Sequence, residues 1–280
     1  MSTERRWFIT GCSSGLGRAL AEAVLDNGER AVITARDTAS LEPLVRRHGD
    51  RVRALALDLA QPAQIAELAR EAEAAFGGVD VLVNNAGYGL VGAIEETGPD
   101  AYRPLFETNF FGTLELTRAL LPGFRQRRQG RIINMSSIAA MAARPGYGFY
   151  AATKAALEST SEALAQELKP FGISITLVEP GPFRTDWAGR SLQFAEPAMD
   201  AYADSSGASR EAVRQRNGRQ AGDPVRAAQV ILEVAGIEKP PFRLPMGTFP
   251  YKRLREKLAE IQAEADQWEQ RAGAAVEFYE

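Results

Sequence analysis

The chain has 280 residues, 45% hydrophobic, with 33 basic and 36 acidic side chains and a net charge of −3. That length supports one large buried core, and the mild acidity excludes the basic footprint of a nucleic-acid binder. No apolar run approaches the ~20 residues of a spanning helix, so no membrane partner is expected, and the single cysteine, Cys12, excludes an internal disulfide.

The segment MSTERR runs directly into an apolar strand and leaves no room for a signal peptide, so a cytoplasmic location is expected. Strands are predicted at 6–10, 30–35, 52–57, 80–84, 131–135, 174–178 and 242–246. Helices are predicted at 15–27, 40–47, 62–76, 100–127, 150–170 and 224–236. This alternation, with continuous apolar strands, specifies an α/β fold: a doubly wound parallel sheet, Rossmann-like, with helices on both faces. Gly28, Gly49, Gly77 and Gly172 read as helix stops. The only histidine, His48, is expected to be solvated at a helix end, and no cluster of metal-ligand type occurs.

The first strand leads into ITGCSSGLG, with Gly11, Gly15 and Gly17 spaced G-x-x-x-G-x-G before a helical pattern. Glycine permits a tight turn and close backbone approach to a pyrophosphate, and the helix N-terminus supplies free N–H groups. Cys12 reads as a small loop residue and not a nucleophile. The second strand ends in Ala35, Arg36 and Asp37. An acidic residue there suits the ribose hydroxyls of NAD, whereas Arg suits the 2′-phosphate of NADP. Arg36 favours NADP, with Asp37 and the uncharged Ser14 keeping NAD open.

Three later strands end in Asn84-Asn85-Ala86-Gly87, in Ser136-Ser137 and in Pro180-Gly181. Ligands of such sheets bind beyond the strand C-terminal ends, so the three segments should converge on one edge. Asn109 lies between them in a helix. Tyr150 and Lys154 sit four apart on a predicted helix and share one face. An adjacent ammonium favours the phenolate and should lower the Tyr150 pKa. Only five of the 33 basic residues are lysine, which sets Lys154 apart.

In content, order and spacing these motifs resemble the short-chain dehydrogenase/reductase family, in particular its hydroxysteroid-dehydrogenase-like and carbonyl reductase members. The likeness runs from about Trp7 to Thr185 and weakens towards residue 247. It implies a catalytic set of Asn109, Ser137, Tyr150 and Lys154. Tyr150 would exchange the proton of the reacting oxygen, Ser137 would bond that oxygen, Lys154 would hold the nicotinamide ribose, and Asn109 would hold a relay water. It also implies cofactor contacts from Gly11, Ser13, Ser14, Gly15, Leu16, Gly17, Arg36, Asp58, Leu59, Asn85, Ala86, Gly87, Tyr150, Lys154, Pro180, Gly181, Phe183 and Thr185. The implied activity is interconversion of a carbonyl and an alcohol, with helices 100–127 and 150–170 forming a homodimer or homotetramer. A regulatory or scaffold protein on the same fold, or an epimerase or dehydratase, is the alternative.

Residues 187–222 read as a substrate lid, because they are polar and rich in Gly, Ser and Ala with no helical period. Trp187, Leu192, Phe194, Met199 and Tyr202 from this segment, with Met141, Tyr147 and Phe149, suggest a pocket for a bulky apolar ketone or alcohol. One domain is therefore expected over 1–247, followed by an amphipathic helical extension over 248–280. In that extension Tyr251, Leu254, Leu258, Ile261, Ala265 and Trp268 recur at alternating steps of three and four. The stripe is expected to pack on the chain's own body, with a subunit contact as the alternative.

Overall fold

Successive side chains of β1 (Arg6–Ile9) point to opposite faces, which places Trp7 and Ile9 in one core layer and Phe8 in the other. All three are fully buried, and each contributes roughly 1.5–3 kcal/mol by leaving water. The computed structural model describes residues 4–277; the outermost residues of the expected domain and extension, 1–3 and 278–280, lie outside the described residues.

From β1 the chain continues through α1 (Gly15–Asp26), β2 (Arg30–Ala35), α2 (Glu42–His48), β3 (Val52–Ala56), α3 (Pro62–Phe76) and β4 (Val81–Asn84). A short β5 (Gly89–Val91) precedes α4 (Pro99–Phe106) and α5 (Gly112–Arg127), then β6 (Gly130–Met135), α6 (Ile138–Met141), α7 (Gly148–Leu168) and β7 (Ile173–Pro180). The last part holds β8 (Leu192–Phe194), α8 (Ala208–Arg216), α9 (Pro224–Gly236), β9 (Arg243–Met246) and α10 (Thr248–Ala272).

Seven strands form one parallel sheet in the order β3-β2-β1-β4-β6-β7-β9. They are the seven strands predicted. Side chains of α1 and α9 fill one face, and those of α3 and α5 with the end of α7 fill the other. The strand order reverses between β1 and β4, and the crevice beyond their C-terminal ends is where such sheets bind ligands.

Three expectations about local structure are corrected. The predicted helix 100–127 is interrupted by a π-turn at Glu107–Phe111 between α4 and α5. Pro104, inside α4, has no N–H to give the regular ladder, and a wider turn follows it. Residues 187–222 are not a featureless loop. They hold α8 and also β8, which pairs in parallel with β5 as a second, two-stranded sheet. His48 is buried, not solvated: its side chain is 3% exposed, and burial pulls its pKa down.

Glu96 explains why the 187–222 segment is ordered. Its buried carboxylate accepts bonds from the Ala93 and Met199 N–H groups at 2.6 and 2.9 Å, from Ser206 Oγ at 3.2 Å and from Arg210 at 2.9 Å. Four donors from two distant stretches thus meet on one charge. The N–H donors and the Arg210 guanidinium overcome the cost of burial and hold the carboxyl at about 2.

The long helix α10 covers Thr248–Ala272, but most of its apolar stripe does not pack on the body. Tyr251, Leu258, Ile261 and Trp268 are all exposed, and Pro250 is the buried residue of α10.

Arg210→Met leaves the Glu96 charge buried without its cation. Denaturant unfolding is expected to show a loss of about 3–5 kcal/mol. The Glu96 carboxyl lies below its ordinary 4.5, so its contribution is present above that value and is lost as pH falls towards about 2. Glu96→Gln is expected to flatten the stability profile across that window.

Candidate active site

The floor of the site is the meeting of β1 and β4. Thr10 Oγ1 accepts from the N–H groups of Asn85 and Ala86, both at 2.9 Å. Asn85 Nδ2 returns bonds to the carbonyls of Thr10 and Gly11 at 2.8 and 3.0 Å. Asn85 therefore ties two strand ends together. Gly17 sits against this knot, where an added Cβ would overlap both Asn85 Nδ2 and the Gly11 carbonyl. Behind it, Asn84 bonds Thr117 and Asn134, and Asn134 bonds Ser161, linking β4, β6, α5 and α7 through buried amides.

A cavity of about 1030 Å³ runs over these strand ends. Gly11, Ser13, Ser14, Gly15 and Leu16 line its floor. Arg36, Asp58 and Leu59 line one end, and Asn85, Ala86 and Gly87 the middle. Pro180, Gly181, Phe183 and Thr185 line the roof, with Ser137 and Tyr150 in the wall. Of the expected residues, Gly17, Asn109 and Lys154 stand behind this surface.

The cavity suits a dinucleotide. Ser14, at the N-cap of α1, makes no side-chain cap, and the first turn carries no acidic residue. Free N–H groups and the positive end of the helix dipole therefore face the floor. At the far end Asp37 accepts from Ala39 N at 2.9 Å, so one carboxylate oxygen is engaged locally, and exposed Arg36 lines the cavity beside it. Asp58 similarly accepts from Ala60 N at 3.0 Å while lining the cavity.

The two serines separate by partner. Ser136 Oγ donates to Glu158 at 2.6 Å and is turned away. Ser137 lines the cavity beside Tyr150, and its Oγ accepts from Ala139 N at 3.1 Å. Burial pushes the Tyr150 phenol up to about 12, against a downward pull from the Ser137 hydroxyl. This corrects the expectation that Lys154 holds the phenol low. Lys154 Nζ lies 5.9 Å from the ring and donates to the Met135 carbonyl at 2.8 Å. Burial lowers its own pKa to about 8, with Glu158 acting to raise it.

Asn109 lies on the π-turn and bonds the Tyr88 backbone and the Thr153 hydroxyl. Its amide donates to Tyr88 O at 2.9 Å and accepts from Tyr88 N at 3.0 Å. It clamps the end of the Asn84 to Gly87 segment. Gly87 fits between Asn109 and Lys154: a Cβ there would stand 2.9 Å from Asn109 Oδ1 and 3.6 Å from Lys154 Nζ.

Sequence reasoning missed the support beneath these groups. Arg243 donates to Glu158 at 2.6 Å and to Glu179 at 2.7 Å, joining α7, β7 and β9. Burial raises the Glu179 pKa, and the neighbouring Glu158 adds to that rise. Glu158 falls four residues after Lys154, so helix periodicity could have found it. Glu179, an acid in an apolar strand, was the other signal.

The pocket wall is narrower than expected. Of the eight residues named for it, Tyr147 and Trp187 line the cavity, with ring centroids 6.5 and 5.5 Å from Tyr150. Phe149 stacks instead on Tyr102 at 4.5 Å, Leu192 is core, and Tyr202 donates to Glu95 on the outside. Cys12 is fully buried, and burial pushes its thiol up to about 12, so it is no nucleophile. Among the described residues no acidic, histidine or cysteine group could hold a metal ion.

Gly17→Ala forces the Gly11 to Asn85 knot apart. Overpacking of this kind is expected to cost about 1–3 kcal/mol in unfolding and to weaken cofactor binding, read by thermal denaturation and by nicotinamide fluorescence titration. An unchanged melting temperature would show that the loop has room.

Comparison with known proteins agrees with this geometry. Residues 5–195 match the short chain dehydrogenase family. An oxidoreductase of Botryotinia fuckeliana is 37% identical over 94% of this chain and 96% of its own. A short-chain dehydrogenase structure from Streptomyces avermitilis is 42% identical with a TM-score of 0.93, covering 99% of this chain and all of that one. A Burkholderia phymatum structure, complexed with NAD, is 25% identical with a TM-score of 0.81, over 93% of this chain and 95% of its own. One from Burkholderia cenocepacia, complexed with NADP, is 26% identical with a TM-score of 0.73, over 94% and 97%.

Proposed function

The chain belongs to the short-chain dehydrogenase family of NAD(P)-dependent oxidoreductases, and on that premise we propose that it interconverts a bulky ketone or aldehyde and its alcohol, using NADP. The observation that carries this reading is the placing of Ser137 and Tyr150 in the wall of the same cavity whose floor is the glycine loop. A carbonyl held there meets two hydroxyls at its oxygen and a flat apolar wall of Tyr147 and Trp187.

When bound, the nicotinamide donates or accepts the hydride, and the chain supplies position and the proton. Ser137 holds the carbonyl oxygen and steadies the negative charge that develops on it. Tyr150 gives its phenolic proton to that oxygen in reduction and removes it from the alcohol in oxidation. Burial makes the phenol a weaker acid, and the Ser137 hydroxyl acts against that rise. Lys154 would hold the nicotinamide ribose; in the free protein its ammonium donates to Met135 O behind the cavity surface. Asn109 positions the Tyr88 backbone, which walls the cavity, and any relay water would have to lie beyond it. Movement of the 187–222 segment over the site is restricted by Glu96 to the stretches at its ends, around Trp187 and after α8. The helices α4, α5 and α7 are the proposed homodimer or homotetramer surfaces. Carbonyl reductases are the proposed subgroup.

Arg36 supports NADP, since it lines the cavity at the β2 end while the neighbouring Asp37 spends one carboxylate oxygen on the Ala39 N–H. Arg36→Ala is expected to weaken NADPH by about 1.5–3 kcal/mol and NADH far less, by calorimetry with both cofactors. A wild-type preference for NADH would move the assignment to Asp37.

Tyr150→Phe removes the exchangeable proton without emptying the site. Turnover of any good ketone is expected to drop by more than ~100-fold with NADPH affinity retained. Near-normal turnover would sink the assignment of Tyr150.

A further inference from the structure

The cavity is electrically lopsided. Its two carboxylates, Asp37 and Asp58, sit at the β2 and β3 ends. Around the opposite end, beyond Tyr147, Tyr150 and Trp187, the lining includes Arg144, Arg190 and Arg216 and no acid. All three arginines are exposed, and among the described residues none of them forms an ion pair. Among the described residues other arginines are also left without an acid, Arg53, Arg125 and Arg255 among them, so what sets these three apart is their place in the cavity lining.

The three come from separate places. Arg144 follows α6, with its guanidinium 4.0 Å above the Tyr147 ring. Arg190 follows the turn that carries Trp187, and Arg216 ends α8. Three independent segments thus contribute arginines to the lining of one cavity. Its inner wall is aromatic. Gln220, also in the cavity lining and buried, leaves its Oε1 acceptor without a partner, which suits a donor group on the ligand's body and not its anion. Unpaired like charges repel, and their gathering at a cavity lined by apolar rings favours an anion that arrives with an apolar body.

We propose that the substrate is an anionic carbonyl compound: a ketone or its alcohol at Tyr150 and Ser137, an apolar body along Tyr147 and Trp187, and a carboxylate or phosphate held by Arg144, Arg190 and Arg216. The anion chemistry deepens the carbonyl-reduction reading and rests on it for the position of the reacting group. The binding of the anion does not depend on turnover, so the two can fail separately.

The test uses matched compounds and the full-length protein. Reduction of benzoylbutyrate is compared with that of its methyl ester, with NADPH, in the wild type and in Arg144→Gln/Arg190→Gln/Arg216→Gln. The wild type is expected to favour the acid by ~10-fold or more in kcat/KM, the scale of a charge-assisted contact, and the triple variant to lose that ratio. The preference should also shrink as salt rises, because exposed charges are screened. Calorimetry with phenylvalerate, phenylvaleramide and phenylbutyl phosphate, none of which carries a reducible ketone, reads anion binding without chemistry. Tighter binding of the acid or the phosphate than of the amide, lost in the variant, supports the proposal and identifies the anion. Equal binding of all three, or an acid preference that survives in a variant with wild-type circular dichroism, overturns it. If both ketones resist reduction while the anion preference in binding stands, the carbonyl-reduction reading fails and the anion site remains.

Discussion

One close approach of backbone governs the molecule. The ends of β1 and β4 come together until a threonine hydroxyl, Thr10, serves two N–H groups of the facing strand end. No side chain fits in the gap at Gly17. The sheet needs this contact because its order reverses there, and the crevice for a dinucleotide is the space the reversal opens. Everything later in the chain is arranged around it. The Asn84 to Gly87 segment is pinned by it, and Asn109 and Lys154 are packed against the far side of Gly87.

The proton chemistry sits on a buried polar scaffold. Asn84, Asn134, Thr117 and Ser161 bond one another across four elements, with Asn84 Oδ1 left over. Glu158, Glu179 and Arg243 form a second buried group that also holds Ser136, with Glu179 Oε2 left over. Each bond in such a network fixes geometry, and each buried polar atom left unpaired carries a cost. Here they hold the strand end that presents Ser137 and the helix that presents Tyr150. The same burial explains the titration behaviour: the phenol is pushed up and the ammonium pulled down because neither charged form is welcome in a dry site.

The substrate end follows a different logic. A second small sheet, β5 with β8, and the buried Glu96 hub anchor most of the 187–222 segment. What remains near the cavity is a rigid aromatic wall rimmed by unpaired arginines. On the outside, α10 presents an apolar stripe to solvent, unlike every other helix of the sheet's two layers.

The sequence by itself determined the sheet, the direction of its strands and the family of chemistry. Continuous apolar runs between helical periods specify buried parallel strands, and the glycine loop, strand-end asparagines and serines, and the Tyr150–Lys154 step are local patterns. The likeness to a known family carried the naming of Ser137 and Asn109. Tertiary structure alone decided the rest. Helical periodicity carried no sign of the π-turn at Asn109, because one residue of extra turn leaves the apolar spacing on either side nearly unchanged. Residues 187–222 looked loose because their stability comes from a carboxylate about a hundred positions earlier, and no local window contains that partner. The stripe on α10 looked like core because amphipathicity reports that a face is apolar and not what covers it. Burial, not proximity in the chain, set the direction in which the pKa values of Tyr150, Lys154 and His48 move, because desolvation depends on everything packed around a group.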